Sequence, residues 1–274
     1  MIDLHLHTNA SDGLCSPEVL VQHAAAAGVT VLAVTDHDTV AGTLSVAEKC
    51  ATKNIRAISG IEITAVECGR DVHILGYFVD PAEKALSQFL SSQRADRVSR
   101  VRAIAQRLAS LGVPVDLDRL FENARIQEGR SIGRPQVAHA MVVAGHVVDT
   151  REAFDRWLGA GKPGFVPRIG APPERVIEII HGARGLASLA HPGATKVDDR
   201  MLALRDAGLD ALEIYHPDHP PEVTERYRII ASKLGMLVTG GSDYHGDSAH
   251  GLAPGSVTLP QRDWERLDAW QQPS

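Results

Sequence analysis

The sequence predicts an α/β barrel interrupted by a helical insertion. Three observations carry this expectation. Apolar, β-branched runs alternate with helix-like segments up to residue 82 and again after Gly185. Histidines and carboxylates recur at or just past the ends of those runs, the rim on which a (β/α) barrel builds its active site. Between the two halves, residues 83–165 read as helices with no convincing strand. The expected division is a barrel of 1–82 and 166–274 with a helical cap of 83–165.

The elements follow in order. Ile2-Asp3-Leu4-His5-Leu6-His7 alternates apolar and polar residues, and side chains two apart share a face of a strand. His5 and His7 therefore point the same way and can chelate one ion, with Asp12 at the tip of the following loop. Ser16-Pro17-Glu18 starts a helix, with an N-cap serine, proline at the first helical position and an acid in the first turn. Gly28 ends it. Val29 to Thr35 is a strand buried on both faces, ending in Asp36-His37-Asp38. A helix covers Ala41 to Ala51. Strands cover Ile55 to Ile63, with Glu62 near the end, and Val72 to Val79, with His73 at the start. Glu83 to Leu111 is one long charged helix, and shorter helices follow at Asp118–Arg125, Pro135–Ala144 and Arg151–Leu158. After a helix at Pro172–Ala183, a strand at Leu186–Ala190 ends in His191-Pro192. A helix near Asp198–Ala207 leads to a strand at Ala211–Tyr215, ending in His216. A helix at Pro220–Leu234 precedes a strand at Met236–Thr239, which runs into Gly240-Gly241-Ser242-Asp243-Tyr244-His245-Gly246.

Composition excludes several classes. The chain has 274 residues, 44% hydrophobic and 23% charged, as in ordinary soluble proteins. No apolar run is long enough to span a bilayer, and no signal-peptide pattern opens the chain, so a cytoplasmic location is expected. Cys15, Cys50 and Cys68 are scattered and read as reduced thiols. The net charge of −6 excludes a general nucleic-acid-binding surface. A phosphate-bearing substrate would need metal ions or a local arginine patch.

Nine residues from six or more separate elements have ligand chemistry: His5, His7, Asp12, His37, Glu62, His73, His191, Asp243 and His245. Imidazole and carboxylate together suit Mn, Zn or Fe. Nine is too many for one tetrahedral ion and about right for three ions with open positions. Each residue alone also fits a plain turn or strand end, and His73, at a strand start, fits the pattern least well.

His5-Leu6-His7-Thr8 with Asp12-Gly13, Thr35-Asp36-His37, Gly60-Ile61-Glu62, His191-Pro192 and Gly241-Ser242-Asp243-Tyr244-His245 resemble, in this order, the motifs of the PHP (polymerase and histidinol phosphatase) metallo-phosphoesterases. The resemblance implies a distorted (β/α)7 barrel with three divalent ions, Mn first and Zn or Fe as alternatives. By position, His5, His7, Glu62 and Asp243 would hold one ion. Glu62 would bridge to a second, held also by His73 and His191, and Asp12, His37 and His245 would hold the third. A hydroxide bridging two ions, held through Glu62, Asp243 and His191, would attack phosphorus, bound metal lowering the pKa of water to about 7.

Within the family, Gly129-Arg130-Ser131-Ile132-Gly133-Arg134-Pro135 and Gly161-Lys162-Pro163-Gly164-Phe165-Val166-Pro167-Arg168 resemble the subgroup acting on 3′,5′-nucleoside bisphosphates (pAp to AMP) and 5′-phosphorylated RNA ends. Arg130, Arg134, Lys162, Arg168 and His216 are the expected substrate contacts. Pro135 at a first helical position also puts free backbone N–H groups near Gly133 and Arg134, an anion site. The arginines between Arg94 and Arg107 read instead as a solvated face. His216 and His219 fit either substrate contact or a loop role, and His139, His146, His181 and His250 read as structural. The alternatives are a histidinol-phosphate phosphatase, a non-catalytic proofreading module and, from another class, an amidohydrolase-type C–N hydrolase. The expected partner is a small phosphorylated nucleotide or a short RNA 5′ end, with no membrane; no protein partner is inferable.

Overall fold

The computed structural model describes residues 1–246 and 253–271; His250 lies outside them. Seven strands form one sheet in chain order: β1 (Ile2–Asp3), β2 (Val31–Val34), β3 (Arg56–Glu67), β4 (Arg70–Tyr77), β5 (Leu186–Leu189), β6 (Ala211–Tyr215) and β7 (Leu237–Gly240). The sheet curls until its edges meet. Leu4 N–H donates to the Gly240 carbonyl at 3.2 Å, and Leu6 bridges Tyr244 in parallel. Gly241 permits this closure, because a Cβ there would lie 2.3 Å from the His5 nitrogen. The result is a nearly closed seven-strand barrel, as expected.

One feature departs from a regular (β/α) rhythm. β3 runs four residues past the expected Ile63 and turns straight back into β4. Cys68 (φ 49°) and Gly69 (φ 76°) make a two-residue turn with both residues left-handed, the geometry that suits a twisted hairpin. β4 is therefore antiparallel to β3 and to β5, while the other neighbouring pairs are parallel. This explains His73. An antiparallel strand begins where its parallel neighbours end, so the start of β4 lies on the rim.

The outer helices form where expected. In α1 (Pro17–Ala26), Ser16 accepts the Val19 N–H at 3.3 Å. α2 (Thr43–Ala51) packs beside it, and their apolar residues close a cluster with Leu6, Leu32 and Val34. The main core joins Ile61, Ile63, Ile74 and Leu75 of the hairpin to Leu186, Leu189, Leu212 and Ile214. Over it lie α7 (Pro173–Gly182), α10 (Pro221–Leu234) and α11 (Gln261–Trp270). The short α8 (Pro192–Thr195) and α9 (Met201–Asp206) fill the remaining connections.

α3 (Lys84–Ser110) serves two cores. Its Leu86 and Leu90 pack on the barrel. Its Val101, Ile104 and Leu108 enter a separate cluster with α4 (Asp118–Ile126), α5 (Arg134–Val143) and α6 (Thr150–Ala153), which continues into a π-turn at Phe154–Leu158. Among the described residues no helix is long and apolar enough to cross a membrane.

Candidate active site

All nine expected ligand residues converge on the rim. Glu62 stands at the centre, 1% exposed. Its Oε2 lies 3.3 Å from His5 Nε2, 3.4 Å from His7 Nε2 and 3.2 Å from His37 Nδ1. Its Oε1 lies 2.8 Å from His73 Nδ1 and 3.2 Å from His191 Nε2. Asp243 Oδ1 is 3.2 Å from both His5 Nε2 and His7 Nε2. Asp12 is 3.5 Å from His37 and 3.4 Å from His245. His5, His7 and Glu62 gather ligand atoms within 4.8 Å of one another, and so do His37, Glu62 and His73, and also His7, Asp12, His37 and His245.

The donors fit divalent ions on an observation independent of motif. Both ring nitrogens of His7, and Nδ1 of His37 and His73, are buried without a hydrogen-bond partner. Buried polar groups are otherwise nearly always satisfied. Lone pairs aimed at shared points between carboxylates are what coordination requires. The electrostatics agree. Burial works to raise the Glu62 carboxyl, but His37, His73 and His5 outweigh it and hold Glu62 well below the usual carboxylate range. Asp12 and Asp243 are lowered in the same way against burial, Asp12 chiefly by His37 and His245, Asp243 chiefly by His5 and His245. Burial pushes His37 down to about 3, whereas the neighbouring carboxylates overcome burial to raise His5, His73 and, to about 10, His245.

Two buried aspartates outside the expected set anchor the ligand-bearing loops. Asp36 accepts from Thr8 N–H, Thr8 Oγ1 and Ser11 Oγ at 2.6–2.7 Å, holding the loop of Asp12. Asp3 accepts from Ser242 N–H, Ser242 Oγ and Gly255 N–H at 2.6–2.9 Å, holding the loop of Asp243. Asp243 (φ 51°) and His191 (φ 27°) both occupy the left-handed region, strain of the kind that concentrates at functional sites.

Beside this cluster is a cavity of about 110 Å³ lined by Asp12, His37 and His73 on one side and by Arg97, Arg100, Arg134 and Arg168 on the other. The solvated-face expectation for Arg94–Arg107 is corrected here. Arg97 donates to Asp38 at 2.5 Å, and Arg100 pairs with Asp71 at 3.2 Å. Arg94 donates to the Asp38 carbonyl at 3.2 Å. Residues three apart on a helix share a face, and the inward face of α3 carries guanidiniums where it crosses the barrel mouth. Arg102, and Arg107 as well, remain exposed. Arg168 completes the Asp38 pair at 2.9 Å, and Arg134 the Asp71 pair at 3.0 Å. Phe154 and Phe165 flank Arg134 at 5.7 and 5.8 Å from its guanidinium carbon. Four guanidiniums thus share two carboxylates, and Arg100 Nη2 and Arg168 Nε are buried with no partner. Burial lowers Arg134 to about 10, with Asp71 opposing. Burial also tends to raise Asp38, but Arg97 and Arg168 hold it well below the usual range. Asp38→Asn should cost about 3–5 kcal/mol of stability, because two buried guanidiniums lose their counter-charge. Urea unfolding checks this, and an unchanged midpoint would show the arginines to be held otherwise.

Other expected substrate residues lie elsewhere. Lys162 is exposed and does not line the cavity, nor does Arg130, which donates to Gln127 Oε1. The Gly133 N–H is not free: Gln136 Oε1 accepts it at 2.7 Å, since the glutamine reaches back to the helix start. His216 turns inward, with Nε2 3.3 Å from Asp243 Oδ2. Its Nδ1 accepts the Asp218 N–H at 3.1 Å, which in a neutral ring puts the proton on Nε2, although His216 also forms with His5 and Asp243 a further group whose ligand atoms lie within 4.8 Å of one another. His219 is fully used in a loop, donating from Nδ1 to the Ile214 carbonyl and accepting the Gly193 N–H at Nε2. His146 and His181 bond Pro114 and Asp210, and His139 is exposed, as a structural reading requires. Cys15 contacts His23 and Tyr244 at 3.9 Å and joins none of the ligand groups.

The PHP domain pattern matches residues 3–126. A 3′,5′-nucleoside bisphosphate phosphatase of Chromobacterium violaceum is 33% identical over 280 residues, 98% of this chain and 96% of that one. The chain belongs to the PHP family. A 5′-3′ exoribonuclease of Haemophilus influenzae is 39% identical over 249 residues, 89% of each chain. The crystal structure of a metal-dependent phosphoesterase from Bifidobacterium adolescentis superposes with a TM-score of 0.89 at 31% identity, covering 99% of this chain and 96% of that one. This PHP protein is a metal-dependent hydrolase of phosphate esters.

Proposed function

We propose that this PHP enzyme removes the 3′-phosphate of 3′,5′-nucleoside bisphosphates, converting pAp to AMP, with 5′-phosphorylated RNA ends as a further substrate class. One observation carries the reading: Asp12, His37 and His73 belong both to the ligand cluster and to the wall of the arginine cavity. A substrate with two phosphate groups can present one to each. The bisphosphate phosphatase and exoribonuclease relatives support the same substrate class.

The nine residues would hold three divalent ions, Mn²⁺ first, divided as the family resemblance implies. When bound, the ions lower the pKa of water towards neutrality and neutralise charge on the phosphoryl oxygens. Glu62, Asp243 and His191 would orient the attacking water oxygen. Residues 83–165 act as a cap supplying Arg97, Arg100 and Arg134, with Arg168 from the returning chain. Their guanidiniums suit phosphate geometrically, and binding energy gained on the remote phosphate orients the reacting one.

A phosphate-release panel with Mn²⁺ tests the reading. The substrates are 3′-phosphoadenosine-5′-phosphate, a 5′-phosphorylated oligoribonucleotide, histidinol phosphate and an aryl phosphate. The first should turn over fastest. Dominant turnover of histidinol phosphate would replace the substrate assignment, and turnover of dihydroorotate or a hydantoin without phosphate release would replace the reaction class.

A further inference from the structure

β6 carries a carboxylate in an otherwise apolar run. Glu213 is 0% exposed, between Leu212 and Ile214, which are equally buried. A carboxylate in such surroundings costs several kcal/mol unless its oxygens are hydrogen-bonded. Both are. Oε1 lies 2.9 Å from His5 Nδ1, and Oε2 accepts the backbone N–H of His191 at 2.8 Å. Glu213 belongs to none of the close ligand groups among the described residues.

The two contacts have related consequences. An acceptor at His5 Nδ1 holds a proton there, so that once an ion displaces the proton between Nε2 and the Glu62 and Asp243 oxygens it faces, Nε2 is the ligating atom. His191 sits at φ 27°, ψ 60°, a conformation costly for a residue with a Cβ, and the bond to its N–H holds it there. From that position its Nε2 lies 3.2 Å from Glu62 Oε1. One carboxylate thus sets the two histidines that approach opposite oxygens of Glu62.

We infer that Glu213 is a positioning residue of the metal centre: it fixes the tautomer of His5 and the backbone of His191 together, without touching an ion itself. This rests on the metal-centre reading above. Gln at 213 offers one acceptor oxygen, so its amide N–H₂ must face either the His5 N–H or the His191 N–H, and one contact is lost.

The test measures Mn²⁺ affinity of Glu213→Gln and Glu213→Asp by competition with a chelating dye. Histidine ¹H–¹⁵N spectra of the proteins loaded with diamagnetic Zn²⁺ report which His5 nitrogen carries the proton. The expected result is a loss of about 10- to 100-fold in Mn²⁺ affinity for Glu213→Gln with an unchanged far-ultraviolet circular dichroism spectrum. Glu213→Asp, which keeps both acceptor oxygens on a shorter stem, recovers part of that loss; if the glutamine variant does not fold, the aspartate variant decides, an intermediate Mn²⁺ affinity supporting the inference and wild-type affinity overturning it. Wild-type affinity and an unchanged His5 signal in Glu213→Gln would overturn the inference while leaving the metal centre intact. A wild-type protein that takes up no Mn²⁺ would instead overturn the metal-centre reading, and this inference with it.

Discussion

Glu62→Gln should leave a folded protein whose Mn²⁺-supported turnover is lower by about 10³-fold or more, since charge stabilisation by bound metal is worth several kcal/mol and each 1.36 kcal/mol is tenfold. The size of the effect follows from the position of the side chain. Five imidazoles approach its two oxygens within 3.4 Å. The amide removes the negative charge and puts an N–H₂, which has no lone pair for an ion, on the side of either His5, His7 and His37 or His73 and His191. No rotation about the terminal bond avoids this, because both oxygens are in use. Steady-state kinetics with saturating Mn²⁺, together with metal analysis of the purified variant, measure the loss. A metal-replete Glu62→Gln enzyme with wild-type turnover would sink the assignment of Glu62 as the shared ligand.

The second large effect separates the two phosphate positions. Arg134→Met should lower kcat/KM for 3′-phosphoadenosine-5′-phosphate by about 10- to 100-fold, the cost of losing charge-assisted hydrogen bonds worth about 1.5–3 kcal/mol. The same variant should hydrolyse an aryl phosphate within about twofold of wild type, because that substrate has no second phosphate to bind. Methionine keeps an apolar stem between Phe154 and Phe165. Asp71 keeps Arg100 as its partner, so no carboxylate is left unpaired. Equal losses on both substrates would mean that Arg134 serves the reacting phosphate, and the cavity would lose its role as a separate subsite.

The convergence of the nine candidate residues was legible because its signals are local. Alternation in the first six residues puts His5 and His7 on one face whatever else happens, and strand ends in a barrel share one rim. His191, Asp243 and His245 followed from the same rule. His73 looked misplaced only because strand direction is not written in a single strand. The Cys68-Gly69 turn reverses the chain and turns a strand start into a rim position.

The arginines were harder to read. Arg97 and Arg100 lie on a helix rich in charge, and helical spacing tells which residues share a face but not what that face meets. Their partners, Asp38 and Asp71, are 59 and 29 residues away in sequence. Lys162 and Arg130 came from a motif resemblance, and the fold turns them away from the cavity. Glu213 did leave a sequence signal, a lone acid inside an apolar strand, which by itself predicts a buried and fully bonded carboxylate.

The sequence by itself determined the alternation of strands and helices, the rim position of the nine candidate ligand residues and the run of helices between β4 and β5. These depend on periodicity and caps, which act over a few residues. Only the tertiary structure decided which arginines line the cavity, which histidine tautomers are fixed and which aspartates anchor the loops. Those outcomes depend on burial and on hydrogen bonds between residues far apart in the chain, and a buried charge takes the partner that packing brings to it.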